Sequence, residues 1–190
     1  MWRSVMFLAA FSVSGAAYAE GFDYSFVEGS YGQVDFDGVD GDGMGIGGSF
    51  ALTDSFHVFG GYETGDFDGG VDLNALELGV GYNMPVTDVV DFVASLSYVS
   101  AEAEVTVPGL GSISADENGY GLGVGLRGMA TPQLELNGGI EYVDLDSGSD
   151  TGFGAGFLYH FSESLAVGLS GDWADDVNTY ALNGRFSFGQ

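Results

Sequence analysis

Segments in which large apolar residues alternate with small or polar ones recur along almost the whole chain. The clearest runs over 119–130, read GYGLGVGLRGMA, where the alternate positions are glycine and then Arg127. Successive side chains of a β-strand point to opposite faces, so this segment has one apolar face and one face of glycine and charge. The pattern predicts a strand with two faces of very different polarity.

About ten such segments are present, each with about the ten residues that a tilted strand needs to cross a bilayer. We predict strands at 22–35, 43–52, 56–66, 72–83, 91–103, 118–130, 134–145, 151–161, 165–174 and 178–188. Few residues remain to cover so many apolar faces, so we expect lipid to cover them. The predicted fold is all-β, a transmembrane up-and-down antiparallel β-barrel of about ten strands, with eight strands as the alternative.

The predicted connections alternate between two kinds along the chain. Those at 53–55, 83–90, 131–133 and 162–164 are mostly tight, whereas the others are acidic and longer, the largest at 104–117. Short turns of such barrels lie in the periplasm and longer loops lie outside the cell. We therefore expect both chain termini in the periplasm.

Residues 1–19 have the features of a secretory signal peptide. Arg3 supplies the positive start, 5–13 form a short apolar centre, and Ala17-Tyr18-Ala19 is a small-x-small cleavage pattern. We predict a signal peptide at 1–19 and an outer-membrane β-barrel domain at 20–190. The chain has no cysteine, which excludes a disulfide framework.

Aromatic residues fall near the ends of the predicted strands, as in the aromatic girdles at the two surfaces of a membrane. One end carries Phe22, Tyr24, Phe50, Phe56, Tyr82, Phe92, Tyr159, Phe161, Phe186 and Phe188. The other end carries Tyr31, Tyr98, Tyr120, Tyr142, Phe153, Trp173 and Tyr180. A soluble sandwich places its aromatics at mid-strand, so this distribution favours a membrane barrel.

The chain is strongly acidic, with 28 Asp and Glu against three Lys and Arg and a net charge of −25. Such a charge opposes binding to phosphate backbones, which argues against nucleic-acid partners. Much of the acid lies in Gly/Asp clusters at 35–42, 66–72, 144–150 and 172–176, which read as solvated turns. The spacing in 35–43 does not match a calcium-binding EF-hand loop. Divalent cations could still bridge the acidic loops to each other or to lipopolysaccharide phosphates.

The last strand, YALNGRFSF at 180–188, resembles the C-terminal signal of bacterial outer-membrane barrels. The segments YSFVEGSYG at 24–32 and FHVFGGY at 56–62 resemble a family of small single-domain outer-membrane barrels, of the broad class that contains the OmpA membrane domain. The resemblance implies a bacterial outer-membrane location, with outer-membrane lipids and the barrel-assembly machinery as partners. It offers no catalytic residues.

The alternation assigns a set of charged side chains to the barrel interior, because a charge facing hydrocarbon costs a few kcal/mol. The set comprises Glu28, Glu63, Glu77, Arg127, Glu135, Glu141, Asp172 and Arg185, joined by His57, His160 and Asn183. Counting along the strands places five of the acids, Glu28, Glu63, Glu77, Glu141 and Asp172, about halfway across the membrane. The arginines, histidines and Glu135 lie nearer the periplasm.

Two functions follow from this predicted lumen charge network. In the first, Arg127 and Arg185 pair with the acids and plug the barrel, which is then a structural or surface-interacting protein. In the second, the carboxylates line a narrow cation-preferring channel.

A third, remote alternative is a barrel enzyme. The sequence His160-Phe161-Ser162 resembles the His-x-Ser spacing of a lipid A deacylase barrel, but the predicted inward position of His160 lies away from outer-leaflet lipid. Paired acids on the outer loops suggest no particular proteolytic site. We predict a non-enzymatic protein with no catalytic residue, cofactor or metal site.

Overall fold

The computed structural model describes residues 17–18, 21–36, 39–67, 70–107, 109, 111–175 and 177–188. Apart from 17–18, the predicted signal peptide at 1–19 lies outside the described residues and stays a prediction. The first two elements, β1 (Ala17–Tyr18) and β2 (Gly21–Phe22), form a two-residue antiparallel pair with each other.

Ten longer strands form one closed antiparallel barrel. They are β3 (Phe26–Phe36), β4 (Val39–Ala51), β5 (Phe56–Phe67), β6 (Val71–Thr87), β7 (Val90–Val107), β8 (Gly111–Thr131), β9 (Leu134–Leu145), β10 (Gly148–His160), β11 (Leu165–Ala174) and β12 (Val177–Ser187). Each strand pairs with its neighbours in sequence, and β12 pairs with β3 to close the ring. The predicted ten-stranded barrel is confirmed, and the eight-stranded alternative is wrong.

Several of the predicted strand limits are wrong, and the predicted longer acidic connections are short because the strands extend into them. The supposed loop at 104–117 is a strand extension, since β7 and β8 stay paired up to Val107 and Gly111. Gly109 and Gly111 have φ of 83° and 98°, a left-handed backbone that lets a tight turn replace the loop. The first strand begins at Phe26, and the chain before it turns into the barrel.

The side chains alternate between the two faces of the wall as the pattern predicts. Leu78 is 54% exposed on the outer face, whereas its neighbour Glu77 is 3% exposed on the inner face. A one-residue register slip would exchange these faces, so the period of two fixes the register wherever the two faces differ. The outer face is therefore an apolar band around the barrel.

Exposed aromatic side chains border the apolar band at both ends. We call the end where β3 begins and β12 ends the terminal end, and the opposite end the hairpin end. Exposed aromatics include Phe50, Phe56, Tyr82, Tyr159, Phe161, Phe186 and Phe188 at the terminal end, and Tyr31, Tyr98, Tyr120, Phe153 and Tyr180 at the hairpin end. Phe22 and Tyr24 are exceptions to the predicted girdle, because they lie against Arg127 inside the barrel. Among the described residues, no helix is long and apolar enough to cross a membrane.

Candidate functional site

The candidate functional site is the barrel lumen, whose inward side chains form three layers. Charged and aromatic groups fill the terminal end, carboxylates occupy the middle, and apolar side chains fill the hairpin end. The barrel wall supplies all three layers except for a few residues before β3 that fold back beneath the terminal end.

At the terminal end, Arg127 of β8 and Glu135 of β9 form a buried ion pair. Arg127 Nε donates to Glu135 Oε1 at 2.9 Å, and Arg127 Nη2 donates to Oε2 at 3.4 Å. The side chains are 1% and 0% exposed. His160 of β10 brings Nε2 to 3.0 Å from Glu135 Oε2. One carboxylate therefore links three neighbouring strands across the lumen.

Aromatic rings complete the packing around Arg127. Its guanidinium carbon lies 4.4 Å from the ring centre of Phe22 and 4.7 Å from that of Tyr24. A cation over an aromatic face is attracted by the ring quadrupole, and more strongly where water is excluded. Arg127 Nη1 also donates to the main-chain carbonyl oxygen of Asp23 at 3.3 Å. The segment before β3 is thus fastened inside the barrel by the arginine.

A second group of contacts surrounds Tyr24. Its hydroxyl donates to Asp91 Oδ2 at 2.9 Å, and its ring stacks on the His57 imidazole with centres 4.7 Å apart. His57 Nδ1 lies 3.4 Å from Asn83 Oδ1, and the Asn83 amide donates to the carbonyl oxygen of Asp54 at 2.9 Å. The sequence analysis missed Tyr24, Asp91 and Asn83 as interior residues at this end.

The second arginine pairs across the seam where the barrel closes. Arg185 of β12 donates to Glu28 of β3, its direct partner in the strand register. The Phe26 ring centre lies 3.9 Å from the Arg185 guanidinium carbon. Both ion pairs therefore combine a buried carboxylate with an arginine that is covered by an aromatic ring.

The middle layer contains Glu63, Glu77, Glu141 and Asp172. Glu63 interacts electrostatically with the other three and with Glu28, which shows that these acids face each other across the lumen. Glu77 also has a hydrogen bond with Ser97.

Glycine makes room for this layer in the wall. A Cβ atom at Gly121 would lie 3.0 Å from Glu141 Oε1, and one at Gly45 would lie 3.0 Å from Glu63 Cγ. The glycines that alternate with large outward residues therefore allow carboxylates to fill a narrow interior.

The hairpin end of the lumen is filled by an apolar cluster that the sequence analysis missed. Its buried members are Val34, Phe67, Leu73, Val99, Ala103, Val143, Leu145 and Val177. They come from six strands and point inward, so they close the interior by packing against each other. The sequence does indicate this position, because Leu73 and Glu77 lie four residues apart on β6 and therefore point to the same face of the strand.

A small cavity lies between the two filled ends. This cavity of about 40 Å³ lies beside Glu28, Glu63 and Asp172 and is also lined by hydroxyl groups, including those of Ser30 and Thr179. It has room for about three water molecules. Oε2 of Glu63 and Oγ1 of Thr179 are buried without a hydrogen-bond partner in the protein.

The structure thus places every residue of the predicted lumen charge network on the inner face. It brings Arg127 together with Glu135, and Arg185 with Glu28. Glu63, Glu77, Glu141 and Asp172 are grouped with each other. In the described part of the chain, no group of three or more His, Cys, Asp or Glu side chains is arranged to hold a metal ion.

The remote catalytic alternative finds no support in the geometry around His160. His160 is buried in the lumen against Glu135, whereas Ser162 lies in the exposed turn that follows β10. The Ser162 hydroxyl accepts hydrogen bonds from the main-chain N–H groups of Ser164 and Leu165. The two side chains therefore lie in different environments, one inside the lumen and the other in the exposed turn beyond the strand.

On the outer face, beyond the apolar band at the hairpin end, four carboxylates form one row. Asp42, Asp66, Asp72 and Glu104 are successive direct partners across β4, β5, β6 and β7. Directly opposite side chains in a sheet are about 5 Å apart at Cβ, where like charges repel. Desolvation raises the pKa of Asp72, and so do its hydrogen bond with Asp66 and the charges of Asp66 and Glu104.

Solved structures with a similar fold are outer-membrane barrels. The NanC porin has a TM-score of 0.50 at 9% identity, and the match covers 85% of this chain and 100% of NanC. Ail of Yersinia pestis has 0.47 at 16% identity, covering 86% of this chain and 97% of Ail. The N-terminal barrel domain of Pseudomonas aeruginosa OprF has 0.43 at 16% identity, covering 86% and 99%. At these identities the likeness shows the fold alone.

No curated protein sequence matches the chain. The sequence pattern of one family, the outer membrane protein beta-barrel domain, matches residues 4–161, which is most of the chain. This match agrees with the closed barrel, its apolar band and its aromatic borders. The chain belongs to the outer membrane protein beta-barrel domain family, a family of the bacterial outer membrane.

Proposed function

We propose that the protein is a closed, non-enzymatic outer-membrane barrel that acts as a structural or surface-interacting protein. The observation that carries the proposal is the filling of the lumen at both ends. Arg127, Glu135 and Tyr24 occupy one end, and the apolar cluster around Leu73 and Val143 occupies the other. Ions would have to cross both layers to pass through the barrel.

The apolar layer weighs most against the cation-channel alternative. The carboxylates of the middle layer are the kind of lining that a cation channel uses. A channel also needs water on both sides of such a lining, and the buried Leu73 and Val143 side chains separate it from the hairpin end. The closed barrel is therefore favoured over the channel.

We assign the terminal end to the periplasm and the hairpin end to the cell exterior. The connections at the terminal end have two to four residues, at 52–55, 88–89, 132–133 and 161–164. The longest hairpin, β7–β8, has strands of 18 and 21 residues and extends past the apolar band at the hairpin end. Short periplasmic turns and longer external segments are typical of outer-membrane barrels.

With this orientation, the surface presented outside the cell is acidic. The row formed by Asp42, Asp66, Asp72 and Glu104 lies where the barrel leaves the apolar band. Hard divalent cations bind carboxylate oxygens, and phosphates bind the same cations. We propose that calcium or magnesium bridges this row to lipopolysaccharide phosphates.

Conductance of the purified barrel in planar bilayers tests the closed form. We expect no channel steps in potassium chloride. Steps with cation preference would establish the channel alternative and contradict the closed barrel. The lipid A of expressing cells keeps its mass if the protein is non-enzymatic, and a mass shift would contradict that part of the proposal.

Binding of lipopolysaccharide with and without calcium tests the proposed partner. Calcium should increase binding to the wild type, and Asp66→Asn with Asp72→Asn should remove most of that increase. The matched control is Asp88→Asn with Glu163→Gln, which removes the same charge at exposed positions of the terminal end. An equal calcium effect in both double variants would contradict the bridge.

A further inference from the structure

The outer face of the barrel has an open groove of about 590 Å³ at the seam between β12 and β3. Its lining is almost entirely apolar in character and extends over neighbouring β4, β5 and β11. The outward side chains and glycines that line it are Gly29, Tyr31, Met44, Ile46, Tyr62, Thr64, Val167, Leu182 and Gly184.

The strand register explains the shape of the groove. Gly184 is the direct partner of Gly29 across the seam, so two positions without side chains lie side by side. Val167 flanks Gly184 on one side, and Ile46 flanks Gly29 on the other. A Cβ atom at Gly184 would meet nothing within 4 Å, and one at Gly29 would meet only the Gly45 carbonyl oxygen at 3.9 Å. The floor of the groove is therefore bare backbone.

Two other outward glycines, Gly48 and Gly60, do not produce such a groove. A Cβ atom at Gly48 would lie 3.5 Å from Cγ1 of Val27, and one at Gly60 would lie 2.6 Å from Cδ2 of Leu78. Neighbouring side chains thus cover these two glycines. The contrast shows that the opening at Gly29 and Gly184 is a local feature of the seam.

The position of the groove indicates what fills it. On β12, Gly184 lies between the exposed aromatics Phe186 and Tyr180, nearer to Phe186 at the terminal end. The groove is continuous with the apolar band that contacts the hydrocarbon of the outer membrane. Its floor lies in the periplasmic half of that band, given the orientation proposed above.

We propose that the groove binds one acyl chain of an inner-leaflet phospholipid. Between apolar surfaces in a membrane, association depends on close van der Waals packing, and glycine backbone allows the closest approach. A flexible chain can follow the slot between Val167 and Ile46, whereas a second convex barrel would meet only the projecting side chains at its edges. The bound chain therefore exchanges more slowly than the other lipids around the barrel.

Gly184→Leu tests the site, because a Cβ atom there meets no protein atom within 4 Å and the larger side chain occupies the groove. Ala155→Leu is the matched control, since Ala155 is also an exposed outward residue of the wall, on β10. Heat-modifiability gels should show that both variants fold. Gly184→Ala provides a smaller change at the same position.

The readout is cross-linking to a phospholipid with a photoreactive group in mid-chain, in asymmetric vesicles that carry lipopolysaccharide in the outer leaflet. We expect labelling concentrated on peptides of β12, β3 and β4. Gly184→Leu should lower it at least threefold, Gly184→Ala should lower it less, and Ala155→Leu should leave it unchanged.

Four results would overturn the proposal. Even labelling around the barrel, or labelling that Gly184→Leu does not reduce, would show that no acyl chain is held. Cross-linked pairs of barrels joined at the seam would show that a second copy fills the groove. Seam labelling from photoreactive lipopolysaccharide instead of phospholipid would overturn the leaflet assignment, and with it the proposed orientation, while conductance would still report separately on the closed lumen.

Discussion

Arg127 and Glu135 are joined by two hydrogen bonds in the barrel interior, at 2.9 and 3.4 Å. They are not direct register partners, because Arg127 faces Asn137 across the β8–β9 pair. The contact is diagonal along the strands, as long side chains allow. His160 shares the same carboxylate, so Glu135 is the centre of the terminal-end layer.

Arg127→Met should destabilise the barrel strongly. The substitution leaves the buried Glu135 without its arginine, and removing one partner of a buried ion pair costs about 3–5 kcal/mol. Urea unfolding in lipid vesicles measures the change. The double variant Arg127→Met with Glu135→Gln should lose less than Arg127→Met alone, because no unpaired charge remains. Wild-type stability in the single variant would contradict the ion pair.

Leu73→Ala should destabilise the apolar cluster at the hairpin end. Truncation of a buried leucine costs about 2–5 kcal/mol, because apolar contacts are lost and a cavity remains. Leu78→Ala is the control on the same strand, since Leu78 is exposed on the outer face. The unfolding free energy should fall much further for Leu73→Ala. Equal effects would mean that Leu73 is not packed in a cluster.

Gly81→Val should disturb the terminal-end layer through His57. A Cβ atom at Gly81 would overlap the His57 ring, which stacks on Tyr24. Overpacking of this kind costs about 1–3 kcal/mol. Gly184→Val is the control, because its Cβ has free space outside the wall. A melting temperature for Gly81→Val as high as that of the control would contradict the close approach of His57.

The acidic row should make stability depend on pH. The pKa of Asp72 is raised by desolvation and by its hydrogen bond and repulsion with neighbouring acids, so the protonated form favours the folded state. This contribution is present below the ordinary pKa of an aspartate and is lost as the pH rises through the raised value. The melting temperature should therefore rise on acidification from pH 7 to pH 4 by less in Asp72→Asn than in the wild type. Identical pH profiles would contradict the repulsive row.

Much of the barrel structure can be predicted from the alternation of apolar and polar residues, which has a period of two along each strand. Leu78 faces outward and Glu77 faces inward because alternate strand residues lie on opposite faces, and the difference in polarity holds the register. The same argument places Arg127 and Arg185 inside, since a charge on the lipid face is costly. The number of strands and the face on which each of these side chains lies could thus be predicted from the local sequence.

The contacts within the lumen could not be predicted in this way. Arg185 meets Glu28 only because the last and first long strands pair at the seam, which depends on the stagger of the whole ring. Tyr24 was assigned to an aromatic girdle, but the chain leaves the sheet before Phe26 and turns inward. Leu73 and its neighbours were missed because a polar interior was assumed along the full length of the lumen.

Accessibility of a single cysteine in the middle layer tests the closed lumen most directly. The chain has no cysteine, so Ser97→Cys would introduce one thiol at a buried inward position beside Glu77. Ser114→Cys is the control at an exposed position of β8. With a charged thiol reagent, we predict that folded Ser114→Cys is labelled fully and that Ser97→Cys is labelled only after unfolding. Labelling of folded Ser97→Cys at the rate of the control would show an open lumen and contradict the closed barrel.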